Sequence, residues 1–171
     1  MALPEILNTI EQTSLSMWLR ETPSVFGFYF PLTLHGIGMS LVVGANLIVD
    51  LRLLGFASSL PLKPLKRLFS IMWFGLALNV ITGVFLVLAY PTKEVTNPDF
   101  YVKLTFVTLA VITMWKLNTQ VFDDTSLTEA AMEMKGKVLA KWSIAFWFLA
   151  VWAGRMLSET AIWETFGHRA A

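Results

Sequence analysis

Four side chains that can coordinate a metal or move a proton recur along one apolar stretch of the sequence. His35, Met39, Asn46 and Asp50 are separated by four, seven and four residues, spacings that return to the same face of an α-helix. An ionisable group within a membrane span is a functional candidate because its burial is costly. A neutral imidazole is also a good ligand for haem iron. His35 is therefore a candidate axial ligand of haem b, and the alternative is a buried histidine hydrogen bonded across helices.

A six-coordinate haem with two imidazole ligands needs a second histidine, and the chain has only two, His35 and His168. His168 lies in the C-terminal segment, and a second subunit could instead supply its own His35. Met39 lies one helical turn from His35, so it faces the same cofactor but cannot be the ligand on the opposite side. Five-coordinate haem, or no haem at all, also fits these residues.

Two cations stand at the same predicted end of the membrane spans as His35. Lys103 begins the third span and Arg155 ends the fourth. Ammonium and guanidinium groups suit the carboxylates of haem propionates, which makes both residues candidate cofactor-binding positions. The alternative is that each extends to the lipid headgroups, or that Arg155 pairs with Glu159.

Other polar residues in the spans are expected to be structural. Asp50 and Arg52 end the first span, where an ion pair between them, or between Asp50 and Lys116, is the favoured interpretation. A proton-handling Asp50 is the alternative. Asn79 lies between two glycines of the second span, at spacings of four residues, and we expect it to hydrogen bond across a close helix contact.

The elements that must position these residues follow from composition. The 171 residues are 56% hydrophobic and only 15% charged, with a net charge of +1. Such a chain is typical of membrane proteins and carries no electrostatic footprint for nucleic acid. The absence of cysteine excludes thiolate metal sites, thiol catalysis, disulfides and covalently attached haem.

The apolar runs predict an all-α fold, a four-helix transmembrane bundle with an N-terminal interfacial amphipathic helix. Residues 1–22 lack the basic start of a signal peptide and form the interfacial helix, residues 23–157 the bundle, and residues 158–171 an outer-side tail. The expected spans are Phe26 to Leu54, with a possible kink at Pro31, then Leu68 to Tyr90, Tyr101 to Phe122 and Val138 to Leu157. Ser126 and Glu129 have the spacing of a capping box for a short helix before the fourth span, and the tryptophans of that span are expected at the interfaces or facing lipid.

The distribution of lysine and arginine predicts the orientation. Eight basic residues lie in or beside the loops that follow the first and third spans, and five lie on the other side. The positive-inside rule then places both termini outside a bacterial inner membrane.

Several motifs together resemble a family of small four-span bacterial membrane proteins of unknown function. They run from Ile10–Arg20 through Leu34–Gly38, Asp50–Gly55, Thr82-Gly83 and Asn97–Phe100 to Lys103 and Ala153–Arg155. The resemblance implies a four-helix bundle, loosely similar to cytochrome b561-like and copper-resistance-type membrane domains. It places His35, Lys103 and Arg155 at recurrent polar positions, and Asp123 where family members often carry a further histidine.

These observations favour a haem-b electron-transfer subunit rather than an enzyme in its own right. We expect it to act in a homo-oligomer or a larger membrane complex, with a quinone or an outer-side redox partner. The alternatives are a cofactor-free structural or assembly subunit and a transporter or channel component in which His35, Asn46 and Asp50 line a polar path.

Overall fold

The computed structural model describes the backbone of residues 3–167 and the side chains of residues 5–157. This part of the chain is helical and contains no strand. Its α-helices are α1 (Leu3–Glu11), α2 (Ser14–Glu21), α3 (Tyr29–Leu53), α4 (Leu68–Ala89), α5 (Pro91–Thr96), α6 (Pro98–Leu117) and α7 (Glu129–Gly167). A 3₁₀ turn over Lys63–Arg67 leads into α4, and a π turn over Asn118–Phe122 extends α6.

Four of these helical segments are long and apolar enough to cross a membrane: Tyr29–Leu53, Lys63–Ala89, Pro98–Phe122 and Glu129–Leu157. Large apolar side chains such as Phe74, Ile81 and Phe148 remain exposed on them, as expected of surfaces that face lipid. The prediction of an all-α four-helix transmembrane bundle is confirmed.

Two helix starts differ from the sequence predictions. Helix α3 begins at Tyr29, so Pro31 lies in its first turn, where a missing N–H costs no helical hydrogen bond and causes no kink. Helix α7 begins at Glu129 and runs without interruption into the fourth span. The hydroxyl of Thr128, rather than that of Ser126, accepts the N–H of Ala131 in its first turn.

The N-terminal segment forms two short helices rather than one. The Thr13 side chain caps α2 by accepting the N–H of Ser16. Arg20 then bonds Glu11 at 2.9 Å and the carbonyl of Ala89 at 3.3 Å. These contacts hold α1 and α2 against the end of α4, while Trp18 stays half exposed. The segment thus covers one end of the bundle and keeps an apolar side for the membrane surface.

The spans associate as two antiparallel pairs, α3 with α4 and α6 with α7, joined by packing of α3 on α7. Helices α3 and α4 approach most closely at Gly38 and Gly75, where a Cβ on either glycine would lie 2.9 Å from the carbonyl oxygen of the other. Only glycine permits this separation, as is common in membrane helix pairs.

The two halves of the bundle are filled differently. We call the half that contains Asp50 the aspartate half and the half that contains His35 the histidine half. The aspartate half holds large, fully buried side chains, among them Leu53, Met72, Met114 and Leu117. In the histidine half, the buried described residues of the spans are mostly small: Pro31, Gly38, Thr82, Ala89, Ala150, Ala153 and Leu157.

Candidate functional site

His35 lies between α3 and α4 and is held by two hydrogen bonds. Its ring Nδ1 is 3.1 Å from the hydroxyl oxygen of Thr82. Its backbone carbonyl accepts the side-chain amide of Asn79 at 2.8 Å. The second ring nitrogen, Nε2, is buried and has no hydrogen-bond partner. Helix α4 thus fixes the imidazole through Nδ1, and Nε2 is left without a hydrogen-bond partner.

The hydrogen bonds of Thr82 bear on the tautomer of that imidazole. The Thr82 hydroxyl lies 2.7 Å from the carbonyl oxygen of Leu78, to which it can donate its single proton. In that arrangement its oxygen accepts from His35, and Nδ1 carries the N–H while Nε2 carries a lone pair. Metal-ligating histidines show this pattern, in which the nitrogen away from the metal donates a hydrogen bond that fixes the tautomer.

Gly83 lies against the imidazole, and Lys103 and Glu94 carry charged groups at the same end of the bundle. A Cβ on Gly83 would lie 3.3 Å from His35 Cε1, so a side chain there would crowd the ring. Lys103 of α6 acts electrostatically on His35 and packs its aliphatic chain beside Gly154 of α7. Glu94 of α5 interacts with Lys103 from outside the spans, and burial raises the pKa of Glu94 despite the opposing attraction of Lys103 and Lys93. The site therefore combines a neutral imidazole, a cation and a carboxyl.

The other predicted cofactor residues take different positions. Met39 is half-buried and packs against the cluster of Val42, Ala110 and Trp147. Arg155 follows Gly154 in α7 with its side chain exposed. His168 lies outside the described residues. The structure thus brings Lys103 to His35, whereas Met39 belongs to the apolar packing.

In this tautomer the buried Nε2 lone pair could serve as one nitrogen ligand of haem iron. The described part of the chain contains no second histidine and no group of three metal-binding side chains. Because Nε2 is enclosed, iron could reach it only if the helices around it moved apart. The described residues therefore offer one nitrogen ligand, and a second would have to come from outside them.

A second polar centre occupies the aspartate half, and its bonds differ from those predicted. The amide of Asn46 donates to Asp50 Oδ2 and to the hydroxyl of Ser143, the latter at 2.6 Å. Neither Arg52 nor Lys116 pairs with Asp50 in the described structure, so the expected ion pair is wrong. Arg52 instead donates to the carbonyls of Ser58 and Leu60 and to Glu133, which fixes the loop after α3.

Sequence reasoning missed the roles of two residues of these centres, Thr82 and Ser143, and misplaced a third residue, Trp147. Thr82 follows Asn79 by three residues, a spacing that shares its helix face. Ser143 is an isolated small polar residue in the apolar run of α7, a signal that could have been noticed. Trp147, predicted to face lipid or an interface, is 3% exposed, which corrects that prediction: the ring fills the space between α3, α6 and α7 beside Val42 and Ala110.

A surface cleft is lined by none of the residues of the two centres. It opens beside the 3₁₀ turn and the π turn and is lined by Lys63, Lys66, Arg67, Trp73 and Asp123, among others. Lys66 and Asp123 form a 2.8 Å ion pair across it. Asp123, which stands where related proteins were expected to carry a histidine, thus serves as an ion-pair partner.

Comparisons of the chain with protein-family models, curated proteins and solved structures find no match. The resemblance to a family of four-span membrane proteins therefore stays a prediction. Function must be argued from the two polar centres themselves.

Proposed function

We propose that the protein is a haem-b electron-transfer subunit of a bacterial inner membrane, in which His35 is one axial ligand. The observation that supports this function is the buried, unpartnered Nε2 of an imidazole whose Nδ1 is hydrogen bonded to Thr82. Haem b would supply one-electron transfer within the membrane. A quinone or an outer-side redox partner would exchange the electron.

The second axial ligand is proposed to be the His35 of another copy of the chain. Thr82 orients the His35 ring and increases its basicity through the Nδ1 hydrogen bond. Lys103 provides a positive charge at the same end of the bundle, where propionates would bind. Arg155 directly follows Gly154, the residue of α7 beside which Lys103 packs. The proposed unit is a homo-oligomer, or an equivalent pairing inside a larger complex, with both termini outside.

A reduced-minus-oxidised visible spectrum of protein purified in mild detergent tests this function. The wild type should show a b-type α band and a Soret peak, with about one haem for every two chains if two copies share it. His35→Ala should remove both features without preventing membrane insertion. His168→Ala is the matched control because it removes the other histidine, and it should leave the spectrum unchanged. A flat wild-type spectrum, in protein produced with added haem precursor, would refute the proposal.

A cofactor-free structural or assembly subunit is the second candidate. It is favoured by the bond from Asn79 to the His35 carbonyl and by the Gly38–Gly75 contact, because polar groups here join helices. That function predicts co-purification with a larger complex and no visible spectrum. A wild type that purifies alone with a haem spectrum would argue against it. The transporter alternative has less support, because apolar residues such as Val42 separate His35 from Asn46 along α3.

A further inference from the structure

Asn46, Asp50 and Ser143 form a closed polar centre in the aspartate half. Asn46 is 1% exposed, and Asp50 and Ser143 are fully buried. The two amide hydrogens of Asn46 are both used, one toward Asp50 Oδ2 and one toward the Ser143 hydroxyl oxygen. Every remaining polar atom must therefore find its partner within the centre itself.

Two oxygen atoms of this centre have no partner. They are Oδ1 of Asp50 and Oδ1 of Asn46, both acceptors when the carboxyl group is ionised. Leaving a buried acceptor without a hydrogen bond is costly, and more so when it carries charge. When Asp50 is ionised, these two acceptors therefore have no hydrogen-bond donor to share between them.

The surroundings offer no positive charge to compensate an ionised Asp50. Helix α4 has no charged residue between Leu68 and Ala89. Helices α6 and α7 carry Lys116 and Lys141, and the side chains of both are exposed. Arg52, two residues along α3, is occupied by the loop carbonyls and Glu133. A carboxylate buried without a counter-ion would be strongly disfavoured.

We propose that the Asn46–Asp50–Ser143 centre is a proton-binding site, with the proton carried on Oδ1 of Asp50. The added O–H supplies the missing donor and the Asn46 Oδ1 atom is its acceptor. Together with the existing bond from the Asn46 amide to Asp50 Oδ2, it completes a cyclic pair between a carboxylic acid and an amide. No covalent bond other than the O–H forms or breaks, and the proton comes from bulk water.

This site is independent of the haem proposal. Asp50 lies 15 residues from His35 on one helix, which is about 22 Å at 1.5 Å per residue. Binding and release of this proton would switch Asp50 between a neutral and a negatively charged form. Failure of either proposal therefore leaves the other standing.

Infrared difference spectroscopy tests the proton directly. At neutral pH the wild type should show the C=O band of a protonated carboxylic acid, and the band should shift on exchange into D₂O. Asp50→Asn should remove the band. Asp123→Asn is the matched control, because Asp123 is exposed and paired with Lys66, and it should leave the band intact. A wild type without this band, or a band that persists in Asp50→Asn, would overturn the proposal.

Thermal unfolding in detergent provides an independent measurement. Asp50→Asn is a neutral, isosteric mimic of the protonated acid, so its unfolding temperature at neutral pH should equal or exceed that of the wild type. Raising the pH should lower the unfolding temperature of the wild type and much less that of Asp50→Asn, because the folded wild type binds the extra proton. A marked loss of stability in Asp50→Asn at neutral pH would overturn the proposal. So would an Asp50-dependent stabilisation by sodium chloride over choline chloride, which would assign the two oxygens to a bound cation.

Discussion

The close approach of α3 and α4 gives the sharpest prediction, because one added methyl group at this contact should change the distance between His35 and Thr82. A Cβ on Gly38 would lie 2.9 Å from the carbonyl oxygen of Gly75 and 3.1 Å from the backbone nitrogen of Asn79. Both neighbours are backbone atoms, which cannot rotate away. Gly38→Ala should therefore separate the two helices.

The size of the effect follows from these distances. Ordinary contact begins near 3.4 Å, so α4 must retreat by about 0.5 Å. The His35–Thr82 distance of 3.1 Å would then become about 3.6 Å, beyond a normal hydrogen bond. Overpacking of this kind costs about 1–3 kcal/mol, partly offset by the gain of about 1 kcal/mol when alanine replaces a helical glycine.

Gly36→Ala isolates the steric part of this change. Gly36 is on the same helix, and nothing lies within 4 Å of a Cβ placed there. Gly36→Ala should show only the stabilisation gained when alanine replaces a helical glycine. The unfolding free energies of the two variants should therefore differ by the overpacking cost, about 1–3 kcal/mol. Unfolding of both proteins in the same detergent, followed by circular dichroism, measures that difference. Equal stabilities would refute the reasoning about the glycine contact.

Three further predictions concern the loops, the histidine end and the orientation. Arg52→Lys keeps the charge but loses the forked guanidinium that hydrogen bonds the loop, so it should lower the unfolding free energy by about 1–3 kcal/mol. The control Arg67→Lys, at an exposed position, should lower it by under about 0.5 kcal/mol. Equal losses in thermal unfolding would contradict the assigned contacts. Burial raises the pKa of Glu94 above 4.5, so the folded protein binds more protons and loses stability as pH rises. Glu94→Gln should accordingly be more stable than the wild type at pH 7, with the difference closing below pH 4.5, and a pH-independent difference would show another cause. Because the chain has no cysteine, an impermeant maleimide applied to intact bacteria should label Thr96→Cys but not Ser58→Cys; the opposite labelling would reverse the proposed orientation.

The sequence by itself determined the secondary structure of the bundle and the faces of its helices. Apolar runs of membrane length predict the four spans, because a helix in lipid must satisfy its own backbone and expose apolar side chains. The helical repeat likewise predicts that His35 and Asp50 point toward neighbouring helices. Helix boundaries were less accurate, since Pro31 suits a first turn as well as a kink and Thr128 competes with Ser126 as the cap.

Only the tertiary structure decided which side chains meet. Thr82 lies 47 residues from His35, and Ser143 lies 97 residues from Asn46. A helical period gives the direction of a side chain but not the height of the residue that faces it on the next helix. That height depends on where two helices make contact, which for α3 and α4 is the Gly38–Gly75 approach. The contact of His35 with Thr82 and the partners of Asp50 are consequences of that register, and for this reason the sequence could name both residues but not their bonds.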